Sequence, residues 1–246
     1  MASKLLSTYI YLLFIFLMIL ALISALPVAG VYFLLGKDPR EGFQWVVQYY
    51  WRLFLFMSPL IGKVTIVNPH NLNTLQPAVY AVSHQSSIDF VLIGSMIKNF
   101  ASISNHPVSD LPIFLKIPRL VGVFYMQRDN PNASITVYNR LQRALEEGVS
   151  VFLFPEGTRN YSPTLKPFQK GAFRLAQENN VPIVPVIIQG TGKIVTKGSN
   201  VTKTFNRTDI SVIYLDPIYP QEGEKVRELV RRVHDRMQAE VTKVFS

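Results

Sequence analysis

The rhythm of apolar positions divides the chain in two. From Leu5 to Leu35 the run "LLSTYIYLLFIFLMILALISALPVAGVYFLL" contains no charge. A helix needs about 20 apolar residues to cross a bilayer, so this stretch is long enough, with Pro27 and Gly30 able to break or kink it. After the polar "GKDPREG" comes a second apolar and aromatic segment, residues 43–62, with Arg52 as its one charge. Two such segments joined by a short polar loop predict a helical hairpin in or on a membrane. Tyr, Trp and Arg in the second segment favour an interfacial position. A cleaved signal peptide ending near "ALPVAG" is the competing reading. Against it, the run is overlong and a second membrane-like segment follows.

Beyond Gly62 the period changes. Short apolar runs at "KVTIVN", "AVYAVS", "FASIS", "VGVFYM", "SVFLF", "PIVPVIIQ" and "ISVIYL" predict strands. Amphipathic stretches predict helices near residues 87–98, 109–118, 133–147, 170–180 and 222–244. The last shows its core face plainly, with Val226, Leu229, Val230, Val233, Met237 and Val241 at helical spacing. Continuous apolar strands alternating with helices predict an α/β fold, a largely parallel sheet covered by helices. The expected organisation is a membrane-associated hairpin over residues 1–62 and an α/β domain over 63–246.

Composition narrows the function. The 246 residues include no cysteine, which excludes disulfides, thiolate nucleophiles and thiolate metal sites. Net charge is +9 although only 17% of residues are charged. A basic, apolar-rich chain suggests an anionic membrane surface or an anionic ligand. Nucleic acid is not expected, because no aromatic–basic interleave, zinc-finger or RNP-like pattern occurs. Residues 191–208 carry Lys193, Lys197, Lys203 and Arg207 and no acid, a solvated loop or a contact to anionic headgroups.

Two stretches suggest chemistry. In "SHQSSIDF", residues 83–90, His84 leaves a predicted strand and Asp89 enters the first turn of a predicted helix. Ser86 with Asp89 resembles a capping box. The bend could bring imidazole and carboxylate together, fixing one ring nitrogen and leaving the other as a base. A capped helix with a bystander histidine fits the spacing too. In "VFLFPEGTRN", residues 151–160, an apolar strand runs into Pro155, Glu156, Gly157, Thr158 and Arg159. Ends of parallel strands are where α/β sheets place ligands, and arginine there suits phosphate or carboxylate. A plain turn with a solvated arginine is the bland alternative. "VGVFYMQRD" repeats the arrangement at Arg128. No G-x-S-x-G elbow, P-loop or metal-ligand spacing of histidines is present.

These motifs together resemble the membrane-bound glycerolipid acyltransferases. The family's Asn-His-x₄-Asp motif is met by His84 and Asp89, with Ser83 in place of asparagine. Its glycine-to-arginine motif is met by Gly122 and Arg128, with Gln127 in place of an acid. "FPEGTR" matches completely at residues 154–159, "VPIVPV" matches at 181–186, and "LKPFQKGAFRLA" lies between them. The resemblance covers about residues 75–190. A lysine that many relatives carry is missing at "SISNHP", which passes any phosphate-holding job to Arg128, Arg159 or Lys170, or implies another substrate.

The resemblance implies transfer of an acyl group from acyl-CoA or acyl carrier protein to the sn-2 hydroxyl of 1-acylglycerol 3-phosphate (lysophosphatidate). His84 is then the general base oriented by Asp89. Arg128 and Arg159 hold phosphate, and Glu156, Gly157 and Thr158 complete the substrate-binding set, Glu156 and Thr158 orienting that loop or a glycerol hydroxyl and Gly157 letting the backbone approach. It implies no metal and no cofactor, anionic membrane lipids as partners, and a catalytic domain on the cytoplasmic side of a membrane. Other acceptors such as glycerol 3-phosphate, a non-catalytic lipid-binding protein, and a secreted hydrolase are the alternatives.

Overall fold

The structure is a computed structural model that describes residues 2–104, 121–126, 131–194 and 207–245. Two helices come first, α1 (Ala2–Leu34) and α2 (Pro39–Met57). Asp38 caps α2, its carboxylate accepting the Arg40 N–H at 2.8 Å, with Pro39 at the first helical position. Pro27 lies inside α1 without ending it. At 33 residues α1 is about 50 Å long, more than a bilayer's hydrocarbon core.

The rest runs β1 (Ile61–Val67), β2 (Val79–Val82), α3 (Ile88–Gly94), β3 (Phe100–Ser104), β4 (Val123–Tyr125), α4 (Pro131–Glu146), β5 (Ser150–Leu153), α5 (Gly171–Glu178), β6 (Ile183–Gln189), β7 (Thr208–Tyr214) and α6 (Val226–Phe245). All seven expected strands are present. The expected helix at 109–118 lies outside the described residues. Strand order is β1-β7-β6-β2-β5-β3-β4. Neighbours are parallel except β6 and β7, which run antiparallel with Val186 opposite Tyr214.

Strand alternation splits the core into two layers. Tyr80, Val82, Phe152, Val184 and Val186 point to one face, where α3, α2 and part of α1 cover them. Val79, Ala81, Val151, Leu153 and Ile183 point to the other, against α4, α5 and α6. Both faces are therefore buried, as continuous apolar strands require.

The hairpin supplies one of those covering layers. Leu17, Ala21 and Ala25 on α1, and Val47, Trp51 and Phe54 on α2, join the core that holds Tyr80 and Phe152. Each large apolar side chain buried this way contributes about 1.5–3 kcal/mol. Two buried glutamines fasten α2 to the domain. Gln44 donates to the carbonyls of Phe100 and Val121 and accepts from the Phe100 N–H. Gln48 donates to Gly94 and Ile97. At Gly94 the Trp51 ring comes so close that an added Cβ would lie 2.4 Å from it.

Candidate active site

Strand β2 is central, and its chain leaves the sheet at Ser83. The Ser83 hydroxyl accepts the Ile188 N–H at 2.9 Å, tying the exit of β2 to β6. His84 follows, then the chain bends into α3. The bend brings Asp89 back so that its Oδ2 meets His84 Nδ1 at 3.0 Å. The same oxygen accepts the backbone N–H groups of Gln85 at 2.6 Å and Ser86 at 2.7 Å. Asp89 is fully buried, whereas the His84 side chain keeps 19% of its surface open. Hydrogen bonds of this kind stabilise carboxylate charge and hold the imidazole in one orientation.

The capping box is half formed. Asp89 reaches back to the Ser86 N–H, as that motif requires. The Ser86 hydroxyl makes no hydrogen bond among the described residues, and α3 begins two residues later. Asp89 serves the histidine and the two amides together, so the loop closes around the carboxylate rather than around the serine.

The second loop starts where β5 ends. Phe154 lays its ring over His84, centroids 4.1 Å apart and planes 22° from parallel. Phe154, Pro155, Glu156 and Gly157 form a turn in which the Gly157 N–H donates to the Phe154 carbonyl at 3.0 Å. Proline presets its second position. Gly157 has φ +66°, a left-handed conformation that other residues rarely adopt.

Glu156 turns inward. Only 6% exposed, it accepts the Asn160 side-chain amide at 2.7 Å, the Lys166 N–H at 2.9 Å and, more distantly, the His84 N–H at 3.4 Å. The Asn160 N–H donates to the His84 carbonyl at 2.7 Å. Lys166 Nζ donates to the Arg159 carbonyl at 3.2 Å. The two loops are thus bolted together through Glu156 and Asn160. Sequence reasoning grouped Glu156 with the substrate-binding residues, as orienting the loop or a glycerol hydroxyl, and gave Asn160, Lys166 and Phe154 no role of their own at the site.

Arg159 is half-buried and its Nη1 lies 3.4 Å from the Ser87 hydroxyl. His84, Ser87, Phe154, Gly157, Thr158 and Arg159 line one cleft of about 330 Å³. It lies at the ends of β2, β5 and β3, the edge where a parallel sheet places its ligands. Beside it, burial holds the Tyr161 phenol above its ordinary range, with Arg159 pulling it down and Asp89 pushing it up. A smaller apolar cavity of about 140 Å³ lies between the hairpin and α3, lined by Tyr11, Phe14, Phe54 and Ile88. Ser87 lines both spaces. Arg128, Asn105 and His106 lie outside the described residues. Lys170 is exposed at the start of α5.

The model of the acyltransferase family matches residues 63–189, half of the chain, including every residue of the cleft. The chain belongs to this acyltransferase family. A 1-acyl-sn-glycerol-3-phosphate acyltransferase of Haemophilus influenzae is 30% identical over 94% of this chain and 94% of its own length. A chloroplastic 1-acyl-sn-glycerol-3-phosphate acyltransferase of Arabidopsis thaliana is 34% identical over 85% of the chain. One from Brassica napus, also chloroplastic, is 35% identical over 60%. The chain spans 60% of the Arabidopsis relative's length and 42% of the Brassica relative's. The crystal structure of the 1-acyl-sn-glycerophosphate acyltransferase PlsC from Thermotoga maritima superposes with a TM-score of 0.83. It covers all of this chain and 97% of that one at 19% identity, and so shares the α/β fold with its N-terminal helices.

Proposed function

We propose that this acyltransferase moves an acyl group from a thioester, acyl-CoA or acyl carrier protein, to the sn-2 hydroxyl of 1-acylglycerol 3-phosphate, giving phosphatidic acid. The observation that carries the reading is the His84–Asp89 pair opening on the same cleft as Arg159. The names of the relatives support the acceptor.

An alcohol is far too weak an acid for imidazole to deprotonate outright. Its proton therefore moves to His84 Nε2 while its oxygen attacks the thioester carbonyl. Asp89 on Nδ1 stabilises the imidazolium that forms. Collapse of the tetrahedral intermediate breaks the C–S bond, and His84 returns the proton to the departing thiolate. A thiol is a good enough leaving group that neither a metal nor a second acid is required. Arg159 holds the acceptor's phosphate by charge-assisted bonds, joined by Arg128. Gly157 and Thr158 present the loop backbone to the acceptor, while Glu156 acts as a positioning residue. The apolar cavity meeting the cleft at Ser87 takes an acyl chain. Helix α1, whose most apolar 18-residue stretch has mean hydropathy 2.8 and is only 17% buried, holds the cleft at the membrane, with the catalytic domain facing the cytoplasm.

The test is thiol release by purified protein over a panel of donors and acceptors. Lysophosphatidate should be consumed with stoichiometric thiol release, and glycerol 3-phosphate and monoacylglycerol should be poor acceptors. Lysophosphatidate binding without thiol release would make the protein a lipid binder. Faster turnover of glycerol 3-phosphate would overturn the acceptor.

A further inference from the structure

A second groove lies away from His84. It measures about 430 Å³ and runs between the C-terminal half of α2, the edge strand β1 and the far end of α3. Its floor is apolar, with Leu55, Val64, Ile66 and Met96 among the lining residues, and two arginines, Arg52 and Arg207, stand in its walls. Both are tethered by one nitrogen. Arg52 Nε donates to the Ser95 carbonyl at 2.9 Å and Arg207 Nε to the Ile61 carbonyl at 3.0 Å. Among the described residues no carboxylate pairs with either guanidinium. Asp209, two residues beyond Arg207, accepts the Lys63 N–H instead.

The neighbouring surface indicates which phase supplies the ligand. Trp45, Tyr49, Arg52 and Phe56 are the exposed stripe of α2, spaced four, three and four residues apart. Aromatic residues with an arginine among them suit the membrane–water interface. Phe56 belongs to this stripe and also lines the groove. The groove therefore opens sideways at the depth where lipid headgroups lie. Its volume falls within the span of ligand pockets, about 300–1,000 Å³.

We propose that this groove binds one anionic membrane phospholipid, its phosphate between Arg52 and Arg207 and an acyl chain along the floor. Two guanidinium groups that pair with no carboxylate among the described residues favour a headgroup of net negative charge over a zwitterionic one. The site shares no lining residue with the catalytic cleft. Helix α3 joins the two, with Phe90 lining the cleft and Leu92 lining the groove.

The test uses the full chain in phosphatidylcholine nanodiscs containing a trace of acyl-chain photo-crosslinking phosphatidylglycerol or phosphatidylcholine, with adducts mapped by peptide. Phosphatidylglycerol should label the peptides of α2 and β1 about tenfold more than phosphatidylcholine does. Arg52→Gln with Arg207→Gln should abolish that preference while thiol release in detergent stays within about twofold. Val64→Trp, which fills the floor and leaves both arginines, should lower labelling as much and decides the matter should the double variant unfold. Equal labelling by the two lipids would overturn the proposal. So would a preference that survives Val64→Trp, since surface charge alone would then explain it. Loss of labelling when soluble glycerol 3-phosphate is present during irradiation would also overturn it, because the site would then take a free phosphate.

Discussion

The loops at residues 83–89 and 154–160 meet in one cleft but are built differently. The first is closed on itself: His84, the Gln85 and Ser86 amides and Asp89 Oδ2 satisfy one another within six residues. The other loop faces outward at one end only. Glu156 and Asn160 are buried and hold the first loop, while Thr158 stays exposed and Arg159 half-exposed. On the proposed function His84 needs a fixed orientation, and these local bonds supply one. On that same function, a group that recognises a charged substrate needs access, and a loop held by residues other than Arg159 would provide it.

Substitutions can break that division of labour, and the largest effect belongs to the first loop. His84→Ala should lower thiol release about 10³-fold or more with membrane binding intact. Asp89→Asn should also lower kcat, because a neutral amide cannot stabilise the imidazolium as the carboxylate does. Near wild-type turnover in His84→Ala would end the mechanism.

Arg159→Ala comes next. It should depress kcat/KM for lysophosphatidate about 10²-fold, roughly 2.7 kcal/mol, and harm the residual monoacylglycerol reaction much less. Arg159→Lys should recover only part, since a point charge lacks the bidentate fork. Equal losses on both acceptors would show that Arg159 does not serve the acceptor's phosphate.

Glu156→Gln sharpens the contrast further. An amide replacing one oxygen would face N–H donors, so stability should fall by about 1–3 kcal/mol in thermal unfolding. Activity should drop about tenfold in kcat with KM for lysophosphatidate nearly unchanged. A large KM effect instead would make Glu156 a substrate ligand. The smallest expected effect is Phe154→Leu, which removes the ring stacked on His84. An aromatic pairing worth about 0.5–1.5 kcal/mol predicts a loss near threefold in kcat, read from initial rates.

The sequence made the strands legible because apolar runs bounded by turn residues leave little choice. Spacing alone left His84 and Asp89 open to the reading of a capped helix with a bystander histidine, and the match to the family motif made them legible as a pair. Glu156 was harder. Its partners Asn160 and Lys166 are close in sequence, but its contact with the His84 N–H spans 72 residues. Nothing in "FPEGTR" announces an inward-turned carboxylate. The second hairpin helix was harder still. Gln44 and Gln48 stand among aromatic residues and carried no signal of their own, yet they are buried anchors. Only the stripe of Trp45, Tyr49, Arg52 and Phe56 keeps the expected character.

Those glutamines have a consequence in time. Their carbonyl partners lie 46 to 77 residues further along the chain. At a synthesis rate of about 5–20 residues per second, the partners are made some 2–15 s after the glutamines themselves. During that interval α2 exists beside α1 with no sheet to cover. The hairpin therefore has seconds in which to find a bilayer before the domain can claim its second helix, and a ribosome that pauses before Val121 would lengthen that head start.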